Sequence, residues 1–157
     1  MVTSLLYVSR SNLQLPRDAG EIDAIVATAE RANPPAGITG ALVFTERLFA
    51  QNLEGSDEAL DVLMAGIRSD PRHRDVDVVY REQIPARRFE TWALAYAGPS
   101  TFVAGNVMPL TDDGPPAAKR KAAERLIRLM AQFVQAHLIE QRRNSRRGQA
   151  VGPQSKG

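Results

Sequence analysis

The sequence contains no cysteine, which excludes thiol catalysis, disulfide staples and cysteine-ligated zinc or iron–sulfur centres, and fits a reducing cytoplasm. Its two histidines, His73 and His137, lie far apart in different predicted elements, so they suggest neither a metal site nor a Ser–His–Asp arrangement. Gly-x-Gly-x-x-Gly, Walker and His-Glu-x-x-His motifs are all missing. No apolar run approaches the roughly 18–20 residues of a membrane span, and the opening Met-Val-Thr-Ser-Leu-Leu-Tyr lacks the basic stretch of a signal peptide. Aromatic residues make up only 6%. Phe44 and Phe49 do not form the base-stacking pattern that an RNA-binding sheet needs.

What is present describes an ordinary globular chain. With 157 residues, 43% hydrophobic and 24% charged, it is one domain with enough core to need no covalent staple. The net charge of +2 hides a division. Residues 1–118 hold 10 basic against 16 acidic side chains, whereas residues 119–157 hold 10 basic against 2 acidic. The acidic body disfavours nucleic acid, and the basic end reads as an appended segment.

Apolar patterning gives the element order. Residues 4–9 read as a buried strand. Asp18 and Glu21 suggest a capping box, followed by Ile22, Ile25, Val26 and Ala29 on one helix face. Asn33-Pro34-Pro35-Ala36-Gly37 breaks that helix. Residues 38–44 and 48–53 are strands around a Thr45-Glu46-Arg47 turn. Glu54-Gly55 reads as the strand-to-helix turn, and Ser56 caps a second helix with the stripe Leu60, Leu63, Met64 and Ile67. Residues 76–80 and 91–96 are further strands. The resulting βαββαββ order predicts a ferredoxin-like α+β fold, with both helices on one face of the sheet. Residues 99–116, rich in Pro, Gly, Thr and Asp, read as a linker. An amphipathic helix is expected over 117–141, where Leu126, Leu129, Met130 and Phe133 would cover the other sheet face, with a disordered basic tail over 142–157.

Polar residues inside apolar strands carry the chemistry. Tyr7, Ser9 and Gln51 stand out, because a buried amide without partners costs about 1–3 kcal/mol. Gln51 satisfying backbone groups, or lying at an exposed edge with Tyr7 packed nearby, is the explanation that the residues by themselves favour at this point.

Tyr7-Val8-Ser9, Asn33-Pro34 before Gly37-Ile38-Thr39-Gly40, Phe49-Ala50-Gln51-Asn52-Leu53-Glu54-Gly55, Asp70-Pro71-Arg72-His73 and Arg88-Phe89-Glu90-Thr91-Trp92 together resemble the BLUF family of flavin-using blue-light sensors. The likeness runs through roughly residues 1–98. It implies a photoreceptor, not an enzyme, with flavin (FAD, or FMN as the alternative) held noncovalently between the two helices on the sheet. By that resemblance Tyr7 is the electron donor and Gln51 the switching amide. Asn33 holds the pyrimidine edge, Ile25 and Ile67 flank the ring, and Arg72 lies near its polar edge. Trp92 is the mobile tryptophan beside Gln51, Ser9 adjusts the surroundings of Tyr7, and Leu94 lies on the signal route with Trp92 and Ser9.

Chemistry agrees with these roles. An amide such as Asn33 pairs with an imide edge as donor and acceptor at once. Gln51 exchanges donor for acceptor by rotating or tautomerising, which makes it bistable. Three positions depart from the family pattern: Ala32 in place of a polar residue, Gly66 in place of a cation, and Leu94 in place of a methionine. The expected output is association, with a second copy or a separate effector protein. A light-independent small-molecule module of the same fold is the competing reading, and colour separates the two.

Overall fold

The computed structural model describes residues 1–149. Five strands form one sheet: β1 (Val2–Ser11), β2 (Thr39–Phe44), β3 (Leu48–Gly55), β4 (His73–Ile84) and β5 (Trp92–Ala97). Their order across the sheet is β4-β1-β3-β2-β5. All neighbours are antiparallel except β2 and β5, which run parallel. The helices α1 (Ala19–Ala32) and α2 (Asp57–Ser69) cover one face. The other face carries α3 (Thr101–Val107), a short 3-10 turn (Met108–Leu110) and the long α4 (Pro116–Gln149). This is the expected ferredoxin-like α+β architecture, with helices on both faces.

Side-chain alternation divides the interior into two cores. Leu5, Tyr7, Leu42, Phe49 and Leu53 meet Ile22, Leu60 and Met64 beneath α1 and α2. Leu6, Val8, Ala41, Val43 and Ala50 meet Leu126, Ile127, Met130 and Val134 of α4. Leu129 and Phe133 pack partly buried against this second core, as the amphipathic pattern predicted. β5 breaks the alternation with a bulge between its pairings to Leu42 and Val43. As a result Trp92 and Leu94 belong to the first core, while Tyr96 turns to the second and meets the ring of Phe133 at 6.2 Å.

Several local expectations need correction. Ser56 caps α2 as predicted, accepting from Ala59 N–H at 3.2 Å, but Asp18 makes no side-chain cap on α1. Its carboxylate instead accepts from Gln14 N–H and from Arg17, and Glu21 turns to Arg72. Glu54-Gly55 is the buried end of β3, not a turn. The stretch read as a linker holds α3, because Val103, Val107 and Leu110 recur on one helical face and bury against the sheet. Ser100 caps it by accepting from Val103 N–H. Finally, α4 continues through residues 142–149, part of the segment expected to be disordered: its Arg-rich sequence forms helix readily without burial. The rest of that tail lies outside the described residues. No helix among the described residues is long and apolar enough to cross a membrane.

Candidate functional site

Between α1, α2 and the sheet lies a cleft of about 260 Å³. Its walls are aliphatic: Ile25 and Ala29 from α1, Leu63 and Ile67 from α2. Its polar groups converge from the sheet and the helix ends: Tyr7, Asn33, Gln51, Asp70, Arg72 and His73. An apolar slot with a few placed polar groups is the usual form of a small-molecule site.

The floor is built by strand register. Tyr7 on β1 and Gln51 on β3 are direct cross-strand partners, so their side chains emerge together on the cleft face. Gln51 Nε2 donates to the Tyr7 hydroxyl at 2.7 Å. On the other side, Trp92 Nε1 donates to Gln51 Oε1 at 2.8 Å. Strand β2 separates β3 from β5, but Gly40 stands opposite Trp92 and presents no side chain between them. A side chain there would also collide with β3, since a Cβ would fall 1.9 Å from the Asn52 carbonyl oxygen.

Chemistry dictates how the amide points. An indole N–H only donates, so Trp92 selects the Gln51 oxygen and leaves the nitrogen facing Tyr7. That nitrogen carries a second hydrogen. Turning the amide over would set its NH2 against the indole N–H, donor to donor. The orientation of Gln51 and the place of Trp92 are therefore coupled.

The remaining polar groups are anchored. Arg72 is gripped by Asp70 (Nη2 to Oδ2, 2.7 Å) and reaches Glu21 at 3.3 Å. Burial pushes the Asp70 carboxyl upward, but the Arg72 hydrogen bonds and charge outweigh it and hold its pKa below the usual value. His73 Nδ1 lies 2.8 Å from Ser9 Oγ, and burial pushes the imidazole pKa down, which favours the neutral ring. Burial also raises the Tyr7 phenol far above its ordinary value, so it stays protonated.

Of the residues predicted from sequence, Tyr7, Gln51, Asn33, Ile25, Ile67 and Arg72 all line the cleft. Trp92 joins through Gln51, and Ser9 stands behind His73 rather than on Tyr7 itself. Leu94 packs against the same core without lining the cleft. Ala32 and Gly66 are wall residues, and a Cβ at Gly66 would meet nothing within 4 Å. Leu63, Asp70 and His73 belong to the lining without an assigned role in the sequence reading. Helical spacing places Leu63 on the stripe with Ile67 as a packing residue. No cluster of metal-ligating side chains occurs among the described residues.

The donor set fits a flavin. A planar apolar ring suits the slot between Ile25 and Ile67, and the Asn33 and Gln51 amides suit an edge that mixes N–H, N and C=O groups.

Residues 2–95 match the family model described as "BLUF: Sensors of blue-light using FAD". The photoactivated adenylate cyclase subunit beta of Euglena longa is 38% identical over 97 residues, which are 61% of this chain and 11% of that protein. The blue light- and temperature-regulated antirepressor BluF of Escherichia coli K12 is 35% identical over 89 residues, 57% of this chain and 22% of the antirepressor. The chain thus spans well under two thirds of these curated relatives. Among solved structures, the dark state of BlrB, a BLUF protein, superposes with a TM-score of 0.68 at 31% identity, covering 83% of this chain and 96% of BlrB.

Proposed function

Because the chain belongs to the BLUF family of blue-light sensors that use flavin, we propose that it is a photoreceptor whose switch is the Gln51 amide held between Tyr7 and Trp92. The single observation that carries this is the pair of bonds on Gln51, 2.7 Å to the phenol and 2.8 Å from the indole, at the floor of the aliphatic cleft. The family photosensor is not itself an enzyme. The cyclase relative aligns with this chain over 11% of its length, and its activity is not carried over.

Bound flavin, which we take to be FAD, supplies light absorption and an excited electron acceptor. The chain's residues do the rest. Ile25 and Ile67 would flank the ring, and Asn33 would pair with its imide edge. Arg72, locked by Asp70, presents a fixed cation at the polar rim. Tyr7, protonated and buried, would pass an electron and then its phenolic proton to the excited flavin. Without its proton the Tyr7 oxygen can still accept from Gln51 Nε2 but can no longer donate, and this change in what it offers unlocks the amide. Gln51 then turns or tautomerises, and the return of electron and proton to Tyr7 leaves it in its second arrangement.

The second arrangement opposes the Trp92 N–H, so the change reaches β5. The β5 bulge carries it across the sheet, from Trp92 and Leu94 on the cleft face to Tyr96 against Phe133 on the α4 face. We propose that α4 is the output element, and that light changes its association with a second copy or with a separate cytoplasmic effector protein.

An absorbance spectrum of the purified chain, in darkness and after blue light, tests the reading. Flavin bands with a small reversible red shift are expected. A chain that stays colourless after incubation with excess FAD or FMN overturns it.

A further inference from the structure

Three residues beyond Gln51 on β3, Glu54 is wholly buried, and strand parity turns it away from the cleft together with Asn52. Its Oε2 accepts two consecutive backbone N–H groups, Arg88 at 2.8 Å and Phe89 at 3.2 Å. Among the described residues its Oε1 has no partner, and neither does the nearby Asn52 Nδ2. The Arg88 guanidinium does not neutralise this carboxylate by contact, since it reaches Ser4 Oγ and the Tyr80 hydroxyl instead. A half-satisfied buried carboxylate is a costly choice where an apolar residue would serve packing alone. What it provides is geometry, because two N–H groups on one oxygen fix both the position and the direction of the chain.

The chain so fixed is the segment that delivers Trp92. Arg87 begins it, donating to the Glu54 carbonyl at 2.7 Å, Gly37 O at 2.8 Å and Thr39 Oγ1 at 2.9 Å. Phe89 is buried in the core beneath α4. Thr91 O accepts from Gly40 N–H at 3.1 Å. Trp92 ends the segment on Gln51. One strand therefore holds both ends of this strap from opposite faces, through Glu54 at its start and Gln51 at its finish.

We propose that Glu54 is a positioning residue for Trp92, holding the strap so that the indole N–H stays on Gln51 and biases the amide. Its consequence for signalling rests on the Gln51 reading above, but the positioning itself is a property of the protein in darkness.

The chain has one tryptophan, so its indole gives a single N–H cross-peak in a proton–nitrogen NMR spectrum. The full flavin-loaded chain is kept dark, and the exchange of that indole proton with water is measured for the parent, Glu54→Gln and Glu54→Ala. Val134→Ala, a cavity beneath α4, controls for general destabilisation, and melting curves are recorded for all four. Exchange is expected to quicken severalfold from parent to Glu54→Gln to Glu54→Ala, because a neutral acceptor holds N–H groups less firmly than a carboxylate. Val134→Ala should leave it unchanged. Parental exchange in Glu54→Gln overturns the proposal, as does equal acceleration in Val134→Ala. Should Glu54→Ala fail to fold, Glu54→Gln decides alone. A parent that shows no light-induced shift would defeat the photochemical reading while leaving this result standing.

Discussion

Trp92 donates its indole proton to Gln51 at 2.8 Å, and because that group has no acceptor capacity it tells the amide which way to face. The same bond ties the first residue of β5 to the middle of β3, across a strand that presents no side chain between them. A small change in one amide therefore has a mechanical outlet built beside it.

Replacing Tyr7 by Phe should leave flavin bound and abolish the normal light-induced shift. It also strands the Gln51 Nε2 hydrogen in a buried place, which costs about 1–3 kcal/mol. Difference spectroscopy checks the first effect and thermal melting the second. A variant that cycles like the parent removes Tyr7 from the donor role.

Trp92→Phe keeps the ring and removes the donor. The turned amide then meets no opposing N–H, so the lit arrangement is relatively stabilised and dark recovery slows. Loss of one buried hydrogen bond of about 1.4 kcal/mol corresponds to roughly tenfold. Recovery followed at the flavin band after a blue pulse gives the number, and faster recovery contradicts the coupling.

Stability should show opposite pH signatures from two cleft residues. Asp70 has its pKa lowered on folding, so its contribution is present above 3.8 and disappears as pH falls below it. Asp70→Asn should flatten that acid limb. Tyr7 is raised from 10.0, so the folded state increasingly loses ground as pH climbs past 10.0, a slope that Tyr7→Phe should reduce. Melting temperatures across both ranges test the signs.

Tyr96→Ala should separate photochemistry from output. The spectral shift is expected to persist, since Tyr96 lies away from the cleft, while light-dependent hydrogen exchange in α4 is lost. If the parent itself shows identical protection of α4 in darkness and light, and no change in oligomeric state on a sizing column, α4 is not the output element.

Much of this was legible in the residues because the deciding forces are local. Alternation placed Tyr7 and Gln51 in buried strands, and helical spacing put Ile25 and Ile67 on the faces that became the cleft walls. The cap at Ser56 needed only four residues of context. What escaped notice depended on distant partners or on composition that points the wrong way. Pro, Gly, Thr and Asp hid α3, although Val103, Val107 and Leu110 were spaced for a helix. The bulge in β5 arises from its pairing with β2 and leaves no mark in Trp92–Ala97. Glu54 looked like a turn residue, since nothing near it in sequence announces the two N–H groups that meet it from Arg88 and Phe89. The competition for Asp18 by Gln14 and Arg17 likewise could not be read from the capping pattern alone.

The place of β5 at the rim of the sheet has one more effect. Every inner strand is stitched along two flanks, and shifting it would rupture both seams. β5, like β4, is sewn on a single flank, but its seam is the shorter, five paired residues against nine, so it is the strand that yields with least disruption. A slip by one residue would invert all its side chains, whereas a tilt about the bulge keeps each on its own side. On the proposed signal route, the motion this geometry would permit β5 is thus a rocking one, with Trp92 and Tyr96 at the two ends of the lever.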